Sequence, residues 1–270
     1  MRSSFELGRI FGIRVRIHWL FIALLVYLLL FGGGLASVVL VTCVFGFVVL
    51  HELGHSLVAR HYGVGVRDIT LLPIGGVARL EGMAPSPRAE LLIAIAGPLV
   101  NIAFALVLFP LAVLAGAGQV MLGANVLGSL AFLLSALVSI NLGLALFNLL
   151  PAFPMDGGRI LRAWLTRRYG MVEATRKAAR VGRWMAALMA VAGVVFLRPM
   201  LLLIAVFVYF AGSREEMAVR LRHAQAPTLE FDPLVGWHYR APRGFRTTQE
   251  GFDHHHVAEA FDRLMRGFRR

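Results

Sequence analysis

From Leu91 to Met155 the chain runs for 65 residues without one Asp, Glu, Lys or Arg. As a single helix rising ~1.5 Å per residue, such a stretch would measure roughly 97 Å, about three times the ~30 Å hydrocarbon core of a bilayer. It must fold back on itself. The Gly-rich segment from Ala115 through Gly123 to Asn125 is where a break is expected, with spans at about 90–114 and about 127–150.

A second uncharged run, Ile17 to Leu50, divides in the same way at Phe31-Gly32-Gly33-Gly34, with its first span at about 16–31. Two shorter apolar runs, Trp184–Leu197 and Pro199–Ser213, are separated by Arg198-Pro199 and form a closing hairpin. Composition agrees with this reading. The chain is 58% hydrophobic and 16% charged, where a water-soluble domain has about 45–50% and about 25%. The lone Cys43 excludes a disulfide framework and a zinc ribbon.

The net charge of +12 is explained by where the cations sit. With six spans and a cytoplasmic N-terminus, the segments 1–16, 60–90, 159–183 and 214–270 hold 26 of the 27 Lys and Arg residues, and only Arg198 falls on the other side. That asymmetry fixes the orientation. Arg14 and Arg16 before an apolar run also resemble the start of a signal sequence, but with several later spans they serve equally well as the flank of an uncleaved anchor. The basic loop from Arg159 to Arg183 enforces topology and meets anionic headgroups, so no nucleic-acid partner is implied. The expected fold is an all-α polytopic membrane protein with about six transmembrane helices. Residues 1–213 form the transmembrane core, and 214–270 form a basic cytosolic tail in which Val257, Phe261, Leu264, Met265 and Phe268 suit an amphipathic helix. The setting is a multi-pass protein of a bacterial cell membrane with both termini in the cytoplasm, and the lipid bilayer is its first partner.

Ionised groups at membrane depth cost several kcal/mol and need a reason. Among the carboxylates only Glu52 and Asp156 fall there, the other thirteen lying in segments where a solvated surface charge is expected. Glu52 belongs to His51-Glu52-Leu53-Gly54-His55 near the end of the second span. Two imidazoles four residues apart share one helical face and can share a metal ion, and the carboxylate between them is placed to act as general base. A catalytic zinc takes three protein ligands. Asp156 lies in the stretch Asn148 to Gly158, where two prolines, Pro151 and Pro154, and two glycines, Gly157 and Gly158, are expected to break the helix. Broken backbone at membrane depth is tolerated where it lines an enclosed or wet cavity. His55 is five residues before Arg60 and Asp156 three before Arg159, so both elements lie within roughly 10 Å of the same interface at helical rise.

At this point the chain resembles the site-2 protease family of intramembrane zinc metalloproteases, through HELGH at 51–55 and N-x-x-P-x-x-P-x-D-G at 148–157. Further echoes are FGIRVRIHW at 11–19, LLPIGGVARLEGM at 71–83 and AGPLVN at 96–101, so the resemblance covers roughly residues 9–160. It implies that His51, His55 and Asp156 ligate zinc and that Glu52 is the general base that later protonates the leaving amine. It further implies that Asn148 steadies the oxyanion and that the substrate is a transmembrane or membrane-associated protein. The segment Thr70–Met83, with Gly75-Gly76 at its centre, reads as a hairpin or re-entrant loop between the second and third spans, and the resemblance implies a substrate-facing edge there. A metal-dependent transporter and an inactive relative that binds membrane proteins are the competing classes. The first would show duplicated halves with broken helices, the second the loss of a ligand or of the glutamate.

Among other polar residues, His18 beside Trp19 reads as an interfacial anchor, His61 as solvated and Cys43 as packing. Asn101 and Asn141 read as inter-helix hydrogen bonds, with Asn101 a candidate for the site surround. His254-His255-His256 reads as a solvated tract.

Overall fold

The computed structural model describes residues 4–73, 75–82, 84–122, 125–224, 228–232 and 236–240. The chain divides into two units, Met1–Val219 and Arg220–Arg270. The amphipathic segment expected at 257–268 and the histidine tract at 254–256 lie outside the described residues.

The first unit opens with a hairpin, β1 (Ser4–Ile10) and β2 (Ile13–His18), followed by α1 (Trp19–Phe31) and α2 (Gly34–His61). A second hairpin, β3 (Gly65–Leu72) and β4 (Gly75–Glu81), precedes α3 (Pro87–Leu122) and α4 (Asn125–Asn148). Three helices follow: α5 (Asp156–Tyr169), α6 (Met171–Val195) and α7 (Pro199–Ala224). The second unit contains an antiparallel pair, β5 (Thr228–Asp232) and β6 (Gly236–Arg240).

The two hairpins join in one sheet of order β1-β2-β3-β4, in which β2 and β3 are parallel, Val15 opposite Ile69. The all-α expectation is therefore corrected. The alternation Ile13, Val15, Ile17 against Arg14, Arg16 is a strand pattern, and Ile13 and Val15 pack against α2 residues Leu53 and Val49. The β2–β3 pairing holds residues 14–17 and 68–71 on one side, so α1 and α2 together leave that side and return to it. The expected hairpin between the second and third spans is present as β3–β4, and β4 is an edge strand.

Four described helices are long and apolar enough to cross a membrane: α2, α3 over Pro87–Met121, α4 over Gly128–Asn148, and α6. The chain is thus a mostly helical, polytopic membrane protein. The α1 helix has 13 residues, about 20 Å at helical rise, and falls short of that length. The turn between α1 and α2 uses Gly33 at φ 99° and Gly34 at φ 72°, backbone that side chains with a Cβ rarely adopt.

Two boundaries differ from expectation. α3 ends at Leu122 and α4 begins at Asn125, within the segment where the break is expected, but α3 runs past the span end expected at about 114, through Gly116 and Gly118. A helical glycine costs about 1 kcal/mol, less than exposing unpaired backbone to lipid. The basic loop expected over 159–183 is helical, α5 and the first half of α6, hinged at Gly170 with φ 72°. The closing hairpin is present, with α6 and α7 on either side of residues 196–198.

Candidate active site

Helical spacing puts His51 and His55 on one face of α2, their rings 4.7 Å apart and near perpendicular. The helix continues without a cap until Tyr62, so both imidazoles are held by regular backbone. Facing them is Asp156, the first residue of α5, where the helix N-terminus favours an anionic side chain.

The chain reaches that point through an irregular segment, Leu149–Met155, which ends α4 and begins α5. The two glycines expected to break the helix lie inside α5 and do different work. A Cβ at Gly157 would collide with the Leu149 and Leu150 carbonyls, and one at Gly158 would come 2.7 Å from the Ala152 carbonyl carbon. Their bareness lets the start of α5 nest against the irregular segment. The prolines belong to the break itself.

Three donor atoms converge. His51 Nε2 and His55 Nε2 are 3.1 Å apart, and Asp156 Oδ2 lies 3.2 Å from the first and 3.1 Å from the second. All three residues are buried. His55 Nδ1 is 2.6 Å from the Ile93 carbonyl oxygen, which can only accept, so that nitrogen carries the proton and Nε2 presents its lone pair to the cluster. Lone pairs and a carboxylate oxygen facing one another repel unless a cation lies among them. A tetrahedral ion with bonds of ~2.0 Å needs ligand atoms roughly 3.3 Å apart, close to the spacing found. The donor set therefore fits zinc, as does the neighbouring helix: a Cβ at Gly97 of α3 would strike both imidazoles, coming 2.7 Å from His51 Nε2.

A cavity of about 520 Å³ opens on this cluster, lined by Glu52, Asn101, Asn148 and Arg159 besides the three donors, and by Gly75–Ala78 of β4. Glu52 lies on the side of β4. A Cβ at Gly76 would come 2.9 Å from Glu52 Cγ. Asn148 closes α4 with its Nδ2 donating to the Leu144 carbonyl at 3.0 Å, a bond that uses one of its two amide N–H groups, and the residue lines the cavity. Arg159, one turn after Asp156, approaches the free Oδ1 at 3.8 Å.

All five residues singled out from the sequence thus line one cavity. Ile93, Gly97, Ala78 and Arg159 were not foreseen. Gly97 and Arg159 had a signal in their spacing, lying in AGPLVN and three residues after Asp156, whereas a backbone carbonyl acceptor such as that of Ile93 leaves none.

The remaining polar residues also find places. His18 caps α1, accepting from Leu20 N at 3.3 Å, and His61 is exposed. Asn141 donates to Leu137 of its own helix at 2.9 Å, which replaces the inter-helix bond expected of it. The expectation that every other carboxylate is solvated is corrected by Asp68 and Glu90, both buried. Asp68 accepts from Thr70 and pairs with Arg79, while Glu90 is gripped by Arg162 at 2.7 Å.

The sequence model of peptidase family M50 matches residues 39–132 and 114–192. Zinc metalloprotease MJ0392 of Methanocaldococcus jannaschii is 40% identical over 224 residues, 82% of this chain and 63% of that protein. Rip3 of Mycobacterium tuberculosis is 36% identical over 269 residues, 90% of this chain and 66% of that protein. The chain thus spans a little under two thirds of the length of these relatives. Among solved structures, the site-2 protease from Methanocaldococcus jannaschii superposes with a TM-score of 0.57 at 39% identity, covering 79% of this chain and 95% of that one.

Proposed function

This chain belongs to peptidase family M50, and on that premise we propose that it is an intramembrane zinc endopeptidase. It hydrolyses a peptide bond in or beside a transmembrane segment of a membrane-protein substrate, near the cytosolic face. The observation that carries this reading is the convergence of His51, His55 and Asp156 beside Glu52 on one cavity, at the ends of apolar helices.

His51, His55 and Asp156 would hold the zinc, which would supply Lewis acidity at the mouth of the cavity. Glu52 takes the proton from the attacking water and returns it to the leaving amine. The bare backbone of Gly76, against which Glu52 Cγ packs, leaves room for the carboxylate at the cavity wall. The free N–H of Asn148 is available to the developing oxyanion, a neutral donor that costs less to bury than a cation.

A substrate helix must unwind before its peptide bonds are accessible, and its backbone groups then need partners. The edge strand β4, whose residues Gly75–Ala78 line the cavity, offers those partners by strand addition. Orientation follows from the cations: with α1 and α7 also crossing, six spans place 26 of 27 Lys and Arg residues and both termini on the cytosolic side.

The test is Glu52→Gln in the full chain, co-expressed with single-span membrane reporters carrying a labelled cytosolic tail. Release of the tail is expected to fall by about 10³-fold or more with zinc still bound. Undiminished release would refute the assignment.

A further inference from the structure

Each donor of the cluster except one has a visible outer partner. His55 Nδ1 donates to the Ile93 carbonyl and Asp156 Oδ1 faces Arg159. His51 Nδ1 is buried with no hydrogen-bond partner among the described residues. Asn101 on α3 is in the same condition: 1% exposed, with both Oδ1 and Nδ2 unpartnered. A buried polar group left unpaired costs about 1–3 kcal/mol, and at membrane depth no bulk water relieves it.

The two residues are complementary and level with each other. A ring that gives Nε2 to an ion carries its proton on Nδ1 and is a donor there, while Asn101 Oδ1 is an acceptor. The contacts of α2 with α3 set the register. Gly54 lies against Ala96 and Val100, Gly97 against His55 and, a little farther, His51, and Phe47 meets Phe104 edge-on at 5.1 Å. Passing from Gly54 to Phe47 on α2 therefore runs from Ala96 to Phe104 on α3, and Asn101 comes level with His51. Asn101 is also one turn beyond Gly97, on the face that packs against the imidazoles, and both side chains line the same cavity.

We propose that Asn101 is the positioning residue for His51. Its Oδ1 accepts the His51 Nδ1 proton when the metal site is loaded, and so fixes the tautomer and ring orientation of this ligand as Ile93 does for His55. A neutral amide does this without adding a third carboxylate to Glu52 and Asp156. Asn141 marks the contrast: it is equally buried and its Oδ1 is likewise unpartnered, but its Nδ2 is spent within its own helix and it does not line the cavity. The proposal rests on the metalloprotease reading above.

The experiment uses the full chain in lipid nanodiscs. Zinc affinity is measured by competition with a chromophoric chelator, and the ligand field is read from the visible spectrum of the cobalt-substituted protein. Asn101→Leu is expected to weaken zinc about 10–100-fold and to shift the cobalt bands, while the thermal midpoint of the metal-free protein holds or rises. Asn101→Asp, which keeps the acceptor, retains wild-type affinity or better, and Asn141→Leu changes neither reading. Asn101→Ala gives the same comparison where leucine does not fold. Wild-type affinity and cobalt spectrum in Asn101→Leu, or equal weakening by the leucine and aspartate variants, would overturn the proposal. A wild-type chain that takes up neither metal would overturn the metalloprotease reading and the proposal with it.

Discussion

Among the described residues, two of the buried polar clusters are built from opposite arithmetic. In one, Arg162 of α5 donates through Nε and Nη2 to Glu90 of α3 and through Nη1 to Glu215 of α7, with its guanidinium 5.1 Å above the Phe153 ring. Donors meet acceptors and little is left over. In the other, two imidazole nitrogens and a carboxylate oxygen face one another within 3.2 Å, with every good donor turned outward. The first cluster is complete by itself and ties three helices together, whereas the second is complete only around a cation. Burial alone would not separate them, since Arg162 and Asp156 are both 7% exposed. Complementarity does.

The sharpest way to break the comparison is to treat both clusters alike. Asp156→Ala is expected to abolish stoichiometric zinc and lower hydrolysis by about 10³-fold or more, since the Lewis-acid contribution of several kcal/mol is lost. Zinc content by mass spectrometry checks it. No apolar replacement of a partner should restore the metal.

Arg162→Met should instead strand a buried carboxylate and destabilise the fold by about 3–5 kcal/mol. Glu90→Leu added to it should recover most of that loss, because an apolar pair can substitute for a buried ion pair. Denaturation in matched lipid would show both effects. Failure of the second change to rescue would mean that the arginine cluster is not self-contained.

A smaller effect is expected for Asn148→Ala, roughly 10²–10³-fold in kcat with KM and zinc content little changed, as for loss of one oxyanion donor. A rise in KM alone would assign Asn148 to substrate binding. Smaller still is the effect of chelation. A protein loaded at 100 times its Kd should lose about 2.7 kcal/mol of stability when zinc is stripped, and the Asp156→Ala variant should lose nothing, a difference visible as a shift in thermal midpoint.

The same contrast explains what could be read from the residues alone. His51, Glu52 and His55 sit within one helical turn, so their geometry is local. Asp156 stood out because carboxylates are otherwise missing from the apolar stretches, and its depth could be counted from Arg159. The arginine cluster has no such signature: Glu90 and Arg162 are 72 positions apart, and each lies in a segment whose charge looked solvated. The strand β2 did carry its alternating pattern, but Arg14 and Arg16 read equally well as the flank of a membrane anchor. The long α3 hid its true end because glycines that signal a turn in water are tolerated within a helix in lipid. Pairing of Asn101 with His51 was out of reach, as it depends on the register between two helices that no spacing encodes.

The central claim is that His51, His55 and Asp156 hold one ion between them. X-ray absorption at the zinc edge of the wild-type chain tests it directly. The account predicts one zinc per chain with a shell of only nitrogen and oxygen at about 2.0–2.2 Å and the scattering signature of two imidazoles. A single imidazole, a sulfur neighbour near ~2.3 Å from Cys43, or no bound zinc at all would contradict it.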